Sequence, residues 1–431
     1  MHNAVLIQNE HLGEHYYKLS HPSGLTVVVY PKRLDTVYAI FATKYGSLES
    51  SFATDEEPLL TVPDGIAHFL EHKLFEEENG GDVFERFASL GVSANAFTSR
   101  TMTAYVFSAT SRYKEALNEL LDFVMHPYFT EENVEKEQGI IAQEINMYLD
   151  DPGNQLYYNL LECLFSKHNI RTSILGTVDS ISKITPALLY KCYYTFYRLS
   201  NMTLVVCGNV DKEAVFSAVD KAFADVRSDD RAVRREYPEE PKLDIVSPYR
   251  ECRMAVSKPM FAFGVKDMAT HADEKERMRH AIIGELLLRC CFSDSTDFYD
   301  HLYQEGLLDK SLGYEHATYA SCAYQAIYGE SDDPKTVFER CSDLLKNISE
   351  NMPTESDFSR TKRAMYAEHI RTFDNTESSG YEVTDALHSG LDFLKYGDML
   401  ASVTYEELVA FAENFYCDKQ FALSVIYPLS K

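Results

Sequence analysis

ITPALLYKCYYTFYRLSNMTLVVCG, residues 184–208, aligns without a gap on VTYEELVAFAENFYCDKQFALSVIY, residues 403–427, at an offset of 219. Each copy opens on a threonine, Thr185 or Thr404, a residue type that accepts a backbone N–H at a helix start. Each then runs an apolar-patterned helix into a Phe-Tyr pair, Phe196-Tyr197 or Phe415-Tyr416. A β-rich run follows, Met202 to Cys207 or Phe421 to Ile426. A second pair, FTEENVEKEQGIIAQE at 129–144 and PTESDFSRTKRAMYAE at 353–368, repeats at an offset of 224, both copies with a Thr-Glu helix start. Two matches in the same order at similar offsets indicate a duplicated domain of about 220 residues.

A chain of 431 residues is long enough for two such domains. The segment SDDRAVRREYPEEPKLD, 228–244, is charged, holds two prolines and lacks apolar periodicity, so it reads as the linker between a domain at 1–230 and one at 245–431. In the first half, strands are expected around 25–31, 36–43, 93–98, 102–108 and 202–207. Helices are expected around 64–77, 82–90, 112–125, 131–149 and 185–197. This irregular order is an α+β pattern: a mainly antiparallel sheet packed with helices, rather than strict βαβ alternation.

Composition narrows the function. Hydrophobic residues make up 45% and charged residues 25%, the balance of a globular protein. No run of apolar residues reaches membrane-spanning length, and the first ten residues have no secretory pattern. Nine cysteines without a CxxC pair read as free thiols, which points to a reducing, cytoplasmic setting. A net charge of −26 disfavours nucleic acid and anionic membranes as partners.

The chemistry concentrates at HFLEH, 68–72. With Ile66, Phe69, Leu70 and Leu74 buried, His68 and His72 stand four apart on one helical face, and Glu71 lies beside that face. Paired imidazoles suit zinc, and a carboxylate next to the metal but outside its ligand set can take a proton from an attacking water. H-x-x-E-H holds the parts of H-E-x-x-H in reversed order. A zinc enzyme needs a third protein ligand. Glu76 continues the same stripe, but three ligands at four-residue steps lie on a line and cannot surround an ion. Glu137 and Glu144 share a face of another helix about 10.5 Å apart along its axis, so only one of them can reach the ion directly.

HFLEHKLFEE, then SANAFTSRTMTAYVF, then the Glu-containing helix and FYRLSNMTLVV together resemble the pitrilysin-type zinc metallopeptidases, which include insulin-degrading enzyme and the mitochondrial processing peptidase. The likeness is greatest to bacterial processing-peptidase-like members of about 430 residues. The resemblance implies duplicated α+β domains that form a clamshell on dimerisation. It makes His68, His72 and Glu144 the ligands of one Zn2+, Glu71 the general base and Glu137 an auxiliary acidic residue. It makes Asn95, Ala96, Phe97 and Thr98 the edge strand that holds a peptide substrate by strand addition. The residues agree on the last point, since 93–98 and the β-rich Thr101 to Phe107 flank a plausible turn.

The second half departs from the pattern. The segment matching the metal helix reads HAIIGELLLRCC, 280–291, without a histidine pair, so a metal-free domain is expected there. Family members often supply an Arg and a Tyr from this half to hold the scissile carbonyl. In FYDHLYQEGLLDKSLGYEH, 298–316, Tyr303 stands where the Arg is expected, and Tyr314 can serve as the Tyr. The expectation is therefore a zinc endopeptidase acting on short or unfolded peptides, the zinc-bearing subunit of a heterodimer whose homologous partner supplies the Arg and Tyr, or else a homodimer that works weakly or differently. The alternative is a non-catalytic peptide-binding or scaffold subunit.

Overall fold

The structure is a computed structural model that describes residues 2–55, 58–78, 80–241, 244–267, 273–416 and 420–429. Among these residues, seven strands form one sheet in the order Val5–Asn9, Glu14–Ser20, Thr26–Pro31, Met202–Gly208, Val37–Thr43, Thr103–Ala109, Ser93–Thr98. Only Thr26–Pro31 and Met202–Gly208 run parallel. A second sheet has the order Tyr249–Met254, Phe421–Pro428, Met260–Asp267, Ala323–Glu330, Gly313–Thr318, again with one parallel pair, its first two strands. The last five strands of the first sheet and the five of the second thus share one order and one set of directions. The sequence-matched runs beginning at Met202 and Phe421 are equivalent strands. The protein is α+β, built twice on one design.

The chain divides into two compact units. One contains Met1–Ile145, Ser173–Tyr237 and His369–Tyr396; the other contains Asn146–Thr172, Pro238–Glu368 and Gly397–Lys431. A single cut between 1–230 and 245–431 therefore does not describe them, because each unit also takes a helix from the other half of the sequence. The reason in the first unit is apolar area on both faces of its sheet. Met202–Gly208 and Val37–Thr43 are buried along their whole lengths. One face, with Val29, Phe41, Tyr105 and Val206, packs against Ile66, Phe69 and Leu70. The other face, with Tyr38, Ile40, Val205 and Cys207, is covered by Val383 and Ala386 of the helix Thr376–His388. At Gly380 a Cβ would come within 2.7 Å of the Tyr38 ring, so the glycine permits the close approach. Each large apolar side chain buried this way contributes about 1.5–3 kcal/mol.

The expected elements of the first half are present, most with slightly shorter bounds. The helix that carries HFLEH is the main correction: it spans Ile66–Lys73 rather than 64–77. It starts at Gly65, whose φ of 92° and a Cβ that would lie 2.3 Å from the Leu175 carbonyl oxygen admit only glycine. It ends as the backbone tightens to Phe75 N–H donating to His72 and Glu76 N–H to Lys73. Glu76 therefore leaves the helical stripe and bridges to Asp82. Among the described residues, no helix is long and apolar enough to cross a membrane.

Candidate metal centre

Two helices and one edge strand of the first unit bring the polar residues together. The helix Ile66–Lys73 is buried through Ile66, Ala67, Phe69 and Leu70, which leaves His68, Glu71 and His72 on its remaining face. The helix Glu131–Leu149 begins with a reciprocal cap. Asn133 Oδ1 accepts from Thr130 N–H at 2.8 Å, and Thr130 Oγ1 accepts from Asn133 N–H at 3.2 Å. Its buried stripe is Val134, Glu137, Ile141 and Ile145, so a carboxylate lies within an otherwise apolar contact face. Lys73, fully buried, joins the two helices: its Nζ donates to Glu76 at 2.5 Å and to the Asn133 carbonyl at 3.2 Å.

This packing sets three ligand atoms around one point. Glu144 Oε2 lies 3.7 Å from His68 Nε2 and 3.5 Å from His72 Nε2. These gaps are too long for hydrogen bonds, and close to the roughly 3.3 Å edge of a tetrahedron with bonds of about 2.0–2.1 Å. Glu144 Oε2 is buried and makes no hydrogen bond. His72 Nδ1 donates to Glu137 Oε1 at 2.9 Å, which turns the lone pair of Nε2 toward Glu144. Two imidazoles and a carboxylate with an orphaned buried oxygen fit a zinc ion.

The protonation states suit the same use. Burial pushes His68 down to about 3, helped by the neighbouring His72, so its imidazole is neutral. Burial also pulls His72 down, but Glu137, with Glu71 and Glu144, outweighs it and leaves the value raised. Glu71 is raised by burial, against the opposing hydrogen bond from Thr98 and the charge of His72. Burial likewise raises Glu144.

The edge strand Ser93–Thr98 completes the arrangement. Thr98 Oγ1 donates to Glu71 Oε2 at 2.6 Å. Asn95 is exposed, Ala96 packs toward the metal helix and Phe97 packs on the opposite face of the sheet. Tyr303 and Tyr314 belong to the second unit. Tyr303 is 56% exposed on the helix Asp297–Gln304 and stacks on Tyr299. Tyr314, on the strand Gly313–Thr318, is raised by burial against the neighbouring Arg289. That arginine is held by Glu285 and Glu368 at 2.8 Å each.

Sequence reasoning missed the Lys73 clamp, although a lysine inside the apolar run LEHKLF was a signal of it. It also missed a second group in the second unit. Asp267, His280 and His316 place one ligand atom each within 4.8 Å of one another. Asp267 Oδ2 accepts from His280 Nε2 at 2.5 Å and from His316 Nε2 at 2.8 Å.

Residues 61–178 match the insulinase family, peptidase family M16, and residues 183–365 match the peptidase M16 inactive domain. The uncharacterized zinc protease YmfH of Bacillus subtilis is 41% identical over 361 residues, covering 83% of this chain and 84% of that protein. An uncharacterized zinc protease of Streptomyces coelicolor is 24% identical over 99% of this chain and 92% of its own length. The crystal structure of an M16-like peptidase from Alicyclobacillus acidocaldarius superposes with a TM-score of 0.92 at 32% identity, covering 99% of this chain and 100% of that one. By its two matched segments and its zinc-protease relatives, this chain belongs to peptidase family M16.

Proposed function

We propose that the chain is a zinc-dependent endopeptidase that hydrolyses short or unfolded peptides bound as an added strand along Ser93–Thr98. The observation that carries the reading is Glu71. It stands beside the His68, His72 and Glu144 group without belonging to it, and a subunit that only bound metal or peptide would need no such carboxylate. His68, His72 and Glu144 would hold the ion. Bound there, zinc supplies Lewis-acid activation of water and polarisation of the scissile carbonyl. Glu137 keeps His72 oriented through Nδ1. Glu71 takes the proton of the attacking water and returns it to the leaving amine. Backbone pairing on the open edge of Ser93–Thr98, at Asn95, Ala96, Phe97 and Thr98, places the peptide with little demand on its side chains.

Tyr314 is read as a hydroxyl donor to the carbonyl. No guanidinium stands at position 303 to reinforce it, so a homologous partner chain supplies that cation; a homodimer, with Tyr303 in both copies, would work without it. The described cysteines are free thiols, which supports a cytoplasmic setting.

The second reading, a non-catalytic subunit, is favoured by the inactive-domain match over residues 183–365. The test is cleavage of an unstructured peptide by zinc-loaded wild type and Glu71→Gln, alone and with a co-purified homologous partner. The variant is expected to keep zinc and lose cleavage by about 10²–10⁴-fold. Equal cleavage by both proteins would remove Glu71 as base. Stoichiometric zinc without cleavage in any combination would favour the non-catalytic subunit.

A further inference from the structure

We propose that Thr98 is the positioning residue for Glu71: its hydroxyl anchors one carboxylate oxygen and ties the base to the strand that receives the peptide. The inference rests on the peptidase reading above and adds to it a link between binding and proton transfer.

Strand alternation puts Thr98 where it can do this. Ala94 and Ala96 pack into the core shared with the metal helix, whereas Phe97 belongs to the core on the opposite face and lies 5.8 Å from the Tyr381 ring. Position 98 continues the series 94, 96, 98 on the helix side. The two alanines let the helix lie close to the strand, and Thr98 is the polar member of that series.

Hydrogen accounting then fixes the direction of the bond. A threonine hydroxyl has one hydrogen to give. The other polar atom near Thr98 Oγ1 is Thr103 Oγ1 at 3.4 Å, which itself donates to the Tyr45 carbonyl at 2.8 Å. An ionised carboxylate only accepts, and its oxygen is the nearer of the two, so the Thr98 hydrogen goes to Glu71 Oε2, at 2.6 Å. It is the one hydrogen bond to that carboxylate among the described residues. Glu71 Oε1 is left to exchange a proton.

The anchor is rigid. Thr98 pairs with Thr103 across the hairpin, and Ser99 N–H donates to the Met102 carbonyl at 2.7 Å to close the turn that follows. A β-branched side chain has few χ1 choices, so the hydroxyl position follows the backbone. Glutamate has three rotatable bonds, and one fixed oxygen removes most of that freedom before the reaction begins. A peptide pairing on the outer edge of Ser93–Thr98 stiffens the strand that carries this anchor.

The experiment compares zinc-loaded wild type, Thr98→Val and Thr98→Ser. Thr98→Val keeps the branched shape without the hydroxyl and is expected to lower kcat by about tenfold with KM within about twofold, while Thr98→Ser stays within about twofold of wild type. Peptide affinity, read by fluorescence anisotropy in the Glu71→Gln background, is expected to be unchanged by Thr98→Val. In the metal-free protein, Thr98→Val should lower the melting temperature by about 2–4 °C, and should not do so in Glu71→Met.

A Thr98→Val enzyme with wild-type kcat, a Thr98→Ser loss as large as that of Thr98→Val, or a change confined to KM or peptide affinity would each overturn the proposal. Zinc-loaded wild type that cleaves nothing would overturn the peptidase reading instead. The melting comparison still decides whether the two side chains are coupled.

Discussion

The two units hold two histidine-carboxylate groups, and the spacing of their atoms separates them. In the first unit, Glu144 Oε2 keeps 3.5 Å and 3.7 Å from the two imidazole nitrogens, and Glu137 has already taken up His72 Nδ1. In the second, Asp267 Oδ2 lies 2.5 Å and 2.8 Å from its two imidazoles, which is direct hydrogen bonding. The first arrangement leaves room for an ion at ordinary zinc bond lengths; the second has closed on itself. The substitution behind the difference is legible in HFLEH against HAIIG. His280 stands in the place of His68, Ile283 in that of Glu71 and Gly284 in that of His72. A Cβ on Gly284 would lie 1.5 Å from His316 Nδ1, so the ring of an edge-strand histidine fills the space a helix side chain would need. One fold thus carries a metal-ready group and a hydrogen-bonded one, and the choice lies in a few side chains.

Removing ligands gives the largest contrast. His72→Ala is expected to abolish stoichiometric zinc, whereas His280→Gln leaves one zinc per chain, read by metal analysis of purified protein. Zinc lost equally from both variants would mean the spacing argument fails. Glu137→Gln probes the support rather than the ligand, and should weaken zinc affinity by about 10–100-fold in a chelator competition.

Acid gives a smaller effect. The folded metal-free protein refuses the proton that unfolded His68 accepts below its ordinary value of 6.5, because burial holds it near 3. His68 therefore costs no stability above that ordinary value, and its penalty grows as pH falls from there toward 3, reaching about 2 kcal/mol of lost stability at pH 5. Denaturant unfolding of wild type and His68→Asn at pH 7 and 5 should show that difference. Parallel pH dependence in the two proteins would mean that His68 is not held neutral.

Much of the fold was legible because duplication left two copies to compare. The matched strands at 202–207 and 421–426 are equivalent strands of the two sheets, and the edge strand 93–98 was placed by the family resemblance and by the turn that joins it to the β-rich Thr101 to Phe107. The site was legible where spacing carries geometry, as in His68 and His72. The assignment of helices to units was not. The apolar stripe of Thr376–His388 shows that it buries a face, but nothing in its sequence says against which sheet. The early strands Val5–Asn9 and Glu14–Ser20 were also missed, since exposed Val5 and Leu6 and the polar EHYYKLS make weak alternation. Glu76 was misplaced because helical periodicity does not reveal a neighbouring chain segment, here Asp82, that captures the backbone.

The exchange of helices has a consequence for how the protein comes into being. Every residue of the histidine-glutamate group has been synthesised by Glu144, but the sheet beneath it keeps Tyr38, Ile40 and Val205 bare until Val383 and Ala386 arrive. A ribosome must therefore carry synthesis past Ala386 before the first unit can close its core. The order of synthesis withholds a finished core beneath the histidine-glutamate group from the nascent chain, and truncation near residue 230 would leave that face of the sheet bare.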